Sequence, residues 1–173
     1  RGDGVTPRVV RVAGARTGRI GVLVTSDGER SFVQDRGAAL QLSPSDLRPG
    51  WFAGIDLVHV PAYSLLGEPL GSAGRRAVEL ARAEGAAVSA DLSSIGPLLA
   101  DGRRAARTLM TAVAPDFLFA TATEAEALLG TNRPEGLLEY ASTAIIKRGS
   151  KGATVLTRGA EADFDITFTD EEI

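Results

Sequence analysis

Short apolar runs alternate with helical segments through most of this chain, and this alternation is the strongest constraint on its fold. Five runs predict strands, at residues 55–60, 86–92, 116–120, 143–149 and 153–158. Segments with helical character lie between them, at residues 70–85, 99–113, 122–130 and 134–142. Strands that alternate with helices form βαβ units joined by right-handed crossovers. The alternation therefore predicts an α/β fold with a mostly parallel sheet.

The N-terminal part of the chain predicts a different, β-rich structure. Residues 8–13 and 18–24 are rich in Val and Ile, and residues 31–34 form a shorter apolar stretch. Asp27-Gly28 precedes that last stretch, where a tight hairpin turn needs the positive φ that Gly adopts at little cost. Residues 18–24 do not alternate apolar with polar side chains, which is typical of a strand covered on both faces. All three stretches are therefore predicted to be strands.

Length and composition suit one ordinary globular domain. The chain has 173 residues, of which 44% are hydrophobic and 24% charged, so disorder is not expected. We divide it into a β-lid segment, residues 1–36, and an α/β core, residues 37–173. Within the core, residues 159–173 predict an edge strand and a loose end.

Charge and hydropathy argue against several classes of partner. The net charge is −3 and the charges are interspersed, so no basic face predicts nucleic-acid binding. No apolar run approaches the roughly 20 residues that cross a bilayer. The first residues also lack the plan of a signal peptide. We therefore expect a cytoplasmic protein with neither nucleic acid nor a membrane as partner.

The scarcity of cysteine and histidine excludes further kinds of site. The chain has no cysteine, which excludes a disulfide scaffold, a Cys nucleophile and a Cys-based zinc site. Its one histidine, His59, lies in a predicted apolar strand. We expect it to be a satisfied core histidine rather than a base. A Ser-His-Asp triad would depend on that one residue.

Ligands bind at the carboxyl ends of strands in open α/β sheets. Four stretches begin at or directly after the carboxyl ends of predicted strands and are candidate sites: PAYSLLG (61–67), DLSS (91–94), TATE (121–124) and KRGSKG (147–152).

The third stretch combines Thr and Glu at the start of a helix. Thr121 with Glu124, and Thr123 with Glu126, each fit a capping box, in which the hydroxyl and the carboxylate satisfy free backbone N–H groups. This structural role is the more ordinary interpretation. The alternative is that a glutamate here holds a hydrated Mg²⁺, which prefers one or two carboxylates together with phosphate oxygens.

Two Gly-containing stretches are candidates for phosphate binding. In KRGSKG, Gly149 and Gly152 would let backbone N–H groups face an anion, with Lys147 adding a positive charge. A tight turn with solvated lysines fits equally well, and the stretch is not a Walker A motif. GEPLGSAGRR (67–76) could bind phosphate where a helix begins, but it lacks G-x-G-x-x-G and is more simply a flexible loop.

Polar residues near the ends of the predicted strands 55–60 and 86–92 could contact a sugar. Asp91 could accept hydrogen bonds from a polyol hydroxyl, or it could cap the next segment. Tyr63 and Trp51 are most simply packing residues, each with one polar group.

In order and spacing, these pieces resemble the ribokinase-like (PfkB) carbohydrate kinase family. The resemblance covers residues 5 to about 157 and implies a doubly wound α/β fold with a small β lid over the sugar. Residues 8–34 would form part of that lid. It also implies transfer of the ATP γ-phosphate, with Mg²⁺, to a hydroxymethyl group of a small sugar or sugar-like substrate. The stretches that carry it are TGRIGVLVTSDGERSF (17–32), DLVHVPAYSL (56–65), AVSADLSS (87–94), PDFLFATATEAEALLG (115–130) and IIKRGSKGATVL (145–156).

The resemblance assigns roles to candidate residues. Glu124 falls on the Glu of the family's Asn-x-x-Glu motif and would hold Mg²⁺ through water. Thr121 stands at the Asn position, a departure expected to weaken metal and phosphate binding. Tyr63 and Asp91 would line the sugar side. The turn that would contact the nucleotide phosphates comprises Lys147, Gly149, Ser150 and Gly152.

Two family motifs have no counterpart in this sequence. One is the opening strand with a Gly-Gly substrate loop, and the other is a Gly-Ala-Gly-Asp motif that supplies the general base and the anion hole. Asp163 lies too close to the KRGSKG turn to be that base, so no catalytic residue is assigned. Phosphoryl transfer needs positioning, charge stabilisation and a base. We therefore expect the middle portion of a kinase, truncated and inactive.

Two other functions remain open. The first is a non-catalytic binding module on the same scaffold, with the β lid as the surface of a homodimer. The missing motifs and Thr121 favour it. The second is an unrelated Rossmann-type oxidoreductase or transferase, which would need a Gly-rich turn directly after the first α/β strand. PAYSLLGEPLG (61–71) is a poor version of such a turn.

Overall fold

The structure, a computed structural model, describes residues 3–28, 30–93 and 95–164. Its strands are β1 Thr17–Val24, β2 Arg30–Gly37, β3 Leu57–Pro61, β4 Ala87–Asp91, β5 Phe117–Thr121, β6 Thr143–Lys147, β7 Ala153–Thr157 and β8 Ala160–Phe164. Its α-helices are α1 Leu70–Ala83, α2 Ile95–Leu98, α3 Gly102–Val113 and α4 Ala122–Leu129. Short 3-10 turns connect several of these elements, including Ala62–Leu65, Pro134–Glu139 and Gly149–Lys151.

The strands form two sheets. β1 and β2 make an antiparallel hairpin, and the other strands form a six-stranded sheet in the order β3-β4-β5-β6-β7-β8. The pairs from β3 to β6 are parallel and the last two pairs are antiparallel. The predicted α/β fold with a mostly parallel sheet and a small N-terminal hairpin is confirmed. Within the described residues, no helix is both long and apolar enough to cross a membrane.

One face of the large sheet carries the main hydrophobic core. Successive strand residues point to opposite faces, so every second residue can be buried. The helices contribute Val78, Met110 and Leu128 to the same core. On the opposite face, Leu57 is 46% exposed and Phe117 is 36% exposed. The strand residues in the core are Val60, Val88, Ala90, Leu118, Ala120, Ala144, Ile146 and Leu156.

Two arginines of α3 donate hydrogen bonds to carbonyl groups in the last turn of α4. The Nε atoms of Arg103 and Arg107 donate to the carbonyl oxygens of Ala127 and Leu128, at 2.9 and 3.0 Å, and Arg107 also donates to Leu129. The last carbonyl groups of a helix have no partner within the helix. The Arg103 and Arg107 side chains therefore supply hydrogen-bond donors to these carbonyl groups and connect α3 to α4.

Two predicted helices differ from the structure. The helix predicted at 99–113 forms but starts later: α3 begins at Gly102, whose φ is 86°, after the separate short helix α2 has ended at Leu98. The segment 134–142 is only a 3-10 helix, Pro134–Glu139. It is short and contains Gly136, and short segments with glycine rarely meet the cost of starting an α-helix.

The N-terminal prediction is partly wrong. The hairpin between β1 and β2 forms as predicted, with Gly28 at a φ of 85°. Residues 8–13 form no strand, since β propensity alone does not make a strand without a partner to pair with. β1 is not covered on both faces either, because every residue of it is exposed. The predicted C-terminal edge strand corresponds to β8, and residues 165–173 lie outside the described part of the chain.

Candidate functional site

Three charged side chains meet at the carboxyl ends of neighbouring strands. The ammonium Nζ of Lys147 lies 2.8 and 2.6 Å from the two carboxylate oxygens of Asp91. It also lies 4.0 Å from Oε2 of Glu124. The carboxylates are largely shielded, with 19% of the Asp91 side chain and 16% of the Glu124 side chain exposed, against 37% for Lys147. We call these three residues the strand-end cluster.

Sheet register brings the cluster together. The parallel pairing sets Asp91 beside Phe119 and Thr121 beside Lys147, at the last positions of β4, β5 and β6. Because alternate residues share a face, Asp91, Thr121 and Lys147 all point to the face opposite the core. Sequence reasoning assigned Asp91 to the sugar and Lys147 to the nucleotide, and did not foresee their ion pair.

The capping role proposed for Glu124 is confirmed. The backbone N–H of Thr121 donates to Oε2 of Glu124 at 2.7 Å, and the N–H of Glu124 donates to Oγ1 of Thr121 at 3.2 Å. The second predicted box, Thr123 with Glu126, is wrong, because Thr121 is the N-cap and Thr123 lies inside α4. The other oxygen of Glu124, Oε1, takes part in none of the contacts described so far. The cap therefore does not exclude a second role for this carboxylate.

The glycine-bearing turn follows Lys147 directly. Gly149 and Gly152 have φ of 60° and 79°, values that other residues rarely adopt. The turn closes on itself: Lys151 N–H donates to the Arg148 carbonyl at 3.2 Å and Gly152 N–H to the Gly149 carbonyl at 3.1 Å. The N–H groups of Gly149 and Ser150 take part in neither bond. Of the predicted residues Gly149, Ser150 and Gly152, the last therefore uses its N–H group within the turn.

Tyr63 lies apart from the cluster, beside the lid. It belongs to the 3-10 turn after β3, two residues beyond Pro61, the partner of Asp91 in the sheet. The guanidinium carbon of Arg36 lies 5.1 Å from the centre of its ring, within cation–π range. Both residues line a cavity of about 750 Å³ between the base of the lid and the core. Sequence reasoning missed Arg36; its place at the end of the second lid strand was the available signal.

His59 is not the core residue that the sequence predicted. It is exposed on the open face of the sheet, where Nδ1 lies 2.8 Å from Oγ of Ser89 and the ring meets Phe119 edge-on at 6.2 Å. The strand is apolar, but an alternating strand at the edge of a sheet can expose one face. The imidazole does have a polar partner, as expected.

In the Gly-rich stretch before α1, the carboxylate of Glu68 accepts hydrogen bonds at the start of the helix. Glu68 accepts from Ser72 N–H at 3.2 Å and from the Arg75 guanidinium at 2.6 Å. Hydrogen bonding by the Ser72 side chain, and next by the Arg75 guanidinium, lowers the pKa of Glu68. A carboxylate in this place would repel a phosphate, which disfavours a phosphate site there.

The donor set limits how a metal can bind. Across the described residues, no three acidic or histidine side chains come close enough together to hold a metal ion. Magnesium often keeps several waters and uses only one or two carboxylates plus substrate phosphates. Glu124 fits this mode of binding, whereas Asp91 is already neutralised by Lys147.

Comparison with known proteins decides the family. The sequence pattern of the pfkB family of carbohydrate kinases matches residues 1–171. The chain belongs to this family. The predicted resemblance is therefore confirmed, and structural neighbours of this pfkB chain are ribokinase-family kinases.

Individual relatives are longer than this pfkB chain. Probable fructokinase-2 of Arabidopsis thaliana is 33% identical over 100 residues, which cover 57% of this chain and 30% of the relative. Adenosine kinase from Sinorhizobium meliloti superposes with a TM-score of 0.79 at 25% identity, over 91% of this chain and 49% of that one. A ribokinase II from E. coli, solved with ATP and Mg²⁺, has a TM-score of 0.71 at 21% identity, over 87% of this chain and 51% of that one. The chain thus spans about half the length of these structures and less than a third of the fructokinase.

Proposed function

We propose that this chain contributes the nucleotide-binding edge of a kinase that uses ATP and Mg²⁺ to phosphorylate a hydroxymethyl group on a small sugar or sugar-like substrate. The observation that carries the proposal is the convergence of Glu124, Lys147 and the turn at residues 149–152 on one end of one sheet. Membership of a carbohydrate kinase family supports the reaction class. The proposal assigns no general base within this chain.

Each part of this edge suits a triphosphate. An ammonium group has three N–H donors, and Asp91 can occupy two of those of Lys147, so one remains for a phosphate oxygen. The N–H groups of Gly149 and Ser150 add dipoles from the adjoining turn. Magnesium, when bound, neutralises charge that develops on the transferred phosphoryl group. Glu124 would hold a water of that ion through Oε1 while Oε2 keeps the helix cap.

Asp91 sets the charge at this edge. By pairing with Lys147, its carboxylate holds the ammonium at the strand ends and lowers the net positive charge there. A site with one cation and two carboxylates would repel a bare triphosphate. It would bind the magnesium complex better, since two of the charges on the phosphates are then neutralised.

Calorimetric titration of the chain with ATP, with and without Mg²⁺, tests the proposal. We expect binding that depends on Mg²⁺ and that Glu124→Gln weakens roughly tenfold, by analogy with the loss of residues that orient metal ligands. Gln can still accept the capping hydrogen bond, so the helix should persist. Glu126→Gln, an exposed change on the same helix, is the matched control and should have no effect. Undiminished Mg²⁺-dependent binding in Glu124→Gln would remove this residue from the site.

A second candidate function is a non-catalytic module that pairs with another copy of itself through the lid. The lid exposes Ile20, Val22, Leu23, Phe32 and Val33, an unusual amount of apolar surface for a hairpin. The titrations distinguish the two functions. This alternative predicts no heat with ATP and Mg²⁺, together with a dimer that dissociates in sedimentation when Phe32→Ser is introduced.

A further inference from the structure

The cavity between the lid and the core has an unusual charge pattern. Its volume of about 750 Å³ is in the range of small-molecule sites. Arg8, Arg11 and Arg36 line it, and none of the described Asp or Glu residues does. Trp51 and Tyr63 supply aromatic surface on the core side. The cavity therefore combines positive charge with faces that suit a carbon skeleton.

The part of the chain that the structure describes supplies no ion pair to these arginines. Within the described residues, ion pairs engage Arg16, Arg75, Arg76 and Arg82, but none of the three arginines of the cavity. Arg36 is half-buried and contacts only the face of the Tyr63 ring among the contacts found. A guanidinium group removed from water gains most from an anionic partner that accepts two hydrogen bonds.

Glycines fix the position of Arg36 at the base of the lid. A Cβ atom on Gly18 would lie 2.7 Å from the carbonyl oxygen of Arg36. Gly37 has a φ of 50°, and a Cβ atom there would collide with the carbonyl of Arg16. The Ala38 N–H also donates to that carbonyl, at 2.8 Å. Only glycines permit this close approach, which holds the Arg36 backbone at the mouth of the cavity.

The family resemblance implies a sugar beneath the lid; we propose that in this chain the acceptor is an anionic sugar whose carboxylate or phosphate pairs with Arg36 in this cavity. That the ligand accepts a phosphoryl group rests on the proposed kinase function. That the cavity binds an anionic sugar is argued from the contacts of Arg36 and does not depend on it. The sugar carbons would pack on Tyr63 and Trp51. Tyr63 follows β3 and Asp91 ends β4, which are neighbouring strands of the sheet.

The strand-end cluster and the lid cavity differ in their charge balance, and this difference matches the ligand proposed for each. The strand-end cluster balances Lys147 with two carboxylates and suits a metal-bound triphosphate. The lid cavity leaves its arginines unbalanced and suits a ligand that arrives without a metal. A neutral hexose would offer no anionic partner to the half-buried guanidinium group of Arg36, and so would gain less binding energy there.

Titrations of the full chain, without ATP or Mg²⁺, test the inference. The ligands are gluconate, glucose 1-phosphate, neutral glucose and inorganic phosphate. We expect gluconate or glucose 1-phosphate to bind at least roughly tenfold more tightly than glucose, since a charge-assisted hydrogen bond separates them. Whichever of the two binds more tightly identifies the anionic group. Equal affinity for glucose, or inorganic phosphate binding as tightly as either sugar anion, overturns the proposal.

Variants of the lid strand locate the effect. Arg36→Gln should weaken binding of the sugar anion roughly tenfold, and Arg36→Lys should weaken it less, because the charge remains but the two-pronged geometry is lost. Arg30→Gln, at the other end of β2, is the control and should leave affinity unchanged. Circular dichroism and the glucose titration check that the variants fold. An unchanged affinity in folded Arg36→Gln overturns the site.

The outcomes separate this inference from the proposed function. Sugar-anion binding that depends on Arg36, together with no binding of ATP with or without Mg²⁺, keeps the cavity and removes the proposed nucleotide-binding edge. The reverse pattern keeps the nucleotide site and removes the cavity.

Discussion

The two faces of the six-stranded sheet are formed by the same strands but differ in burial and in role. On one face Val88 and Leu118 are fully buried under the helices. On the other face Phe117 is exposed to 36%. At the carboxyl edge this second face presents Asp91 and Lys147. Adjacent residues of one strand thus belong to a packed core and to a surface that leads to the candidate site.

The difference shows where stability and binding reside in this chain. The covered face holds the apolar side chains whose burial stabilises the fold. The open face leaves its charged residues accessible at the strand ends, where a ligand can reach them. A change on the first face should therefore alter stability most, and a change on the second should alter binding most.

The largest effect is expected from Leu118→Ala. It removes a fully buried side chain and should lower the free energy of unfolding by about 2–5 kcal/mol. The neighbouring Phe117→Ala, on the open face, should cost clearly less, although the aromatic ring is larger. Urea unfolding measures both. A cost for Phe117→Ala equal to that of Leu118→Ala would show that something covers the open face in solution.

An intermediate effect is expected from Lys147→Met. It leaves the carboxylates of Asp91 and Glu124 close together without their shared cation. Since these groups are partly exposed, we expect a loss of about 1–2 kcal/mol in stability. ATP–Mg²⁺ binding should weaken as well.

A double-mutant cycle checks the cause of that loss. Adding Asp91→Asn to Lys147→Met should recover part of the stability, because one of the two repelling charges is then gone. No recovery would mean that the ion pair does not explain the loss.

The smallest effect concerns the helix cap beside the site. Thr121→Ala removes the hydroxyl that accepts from Glu124 N–H and should cost about 1 kcal/mol. Thr123→Ala, inside the same helix and exposed, should change stability by less than about 0.5 kcal/mol. Thermal unfolding of the two variants compares them. Equal costs would contradict the assignment of Thr121 as the cap.

Much of the fold was predictable because its signals are local. Apolar runs such as 55–60 and 116–120 predict strands, and Asp27-Gly28 predicts the hairpin, from the properties of a few neighbouring residues. The pairing of Thr121 with Glu124 was likewise predictable, because a capping box spans only four residues. Where the prediction was wrong, as for residues 8–13, β propensity was present but no partner strand was.

The candidate site was predictable only in part. Sequence placed Asp91, Glu124 and Lys147 after successive strands, and parallel pairing then brings such positions to one edge. It could not show that Lys147 binds Asp91 rather than solvent, because 56 positions separate these residues along the chain. The exposure of His59 could not be predicted either, because the sequence of an apolar strand does not show which of its faces is covered.

Sequence by itself determined the order of strands and helices, the lid hairpin, the helix cap and the membership of a kinase family, all of which depend on residue type and spacing. Tertiary structure alone decided which face of the sheet is buried, that Asp91 neutralises Lys147, and that Arg36 lies over Tyr63 at the lid cavity. The physical reason is that charge pairing and burial depend on distances in space, and sheet register sets those distances between residues far apart in the chain.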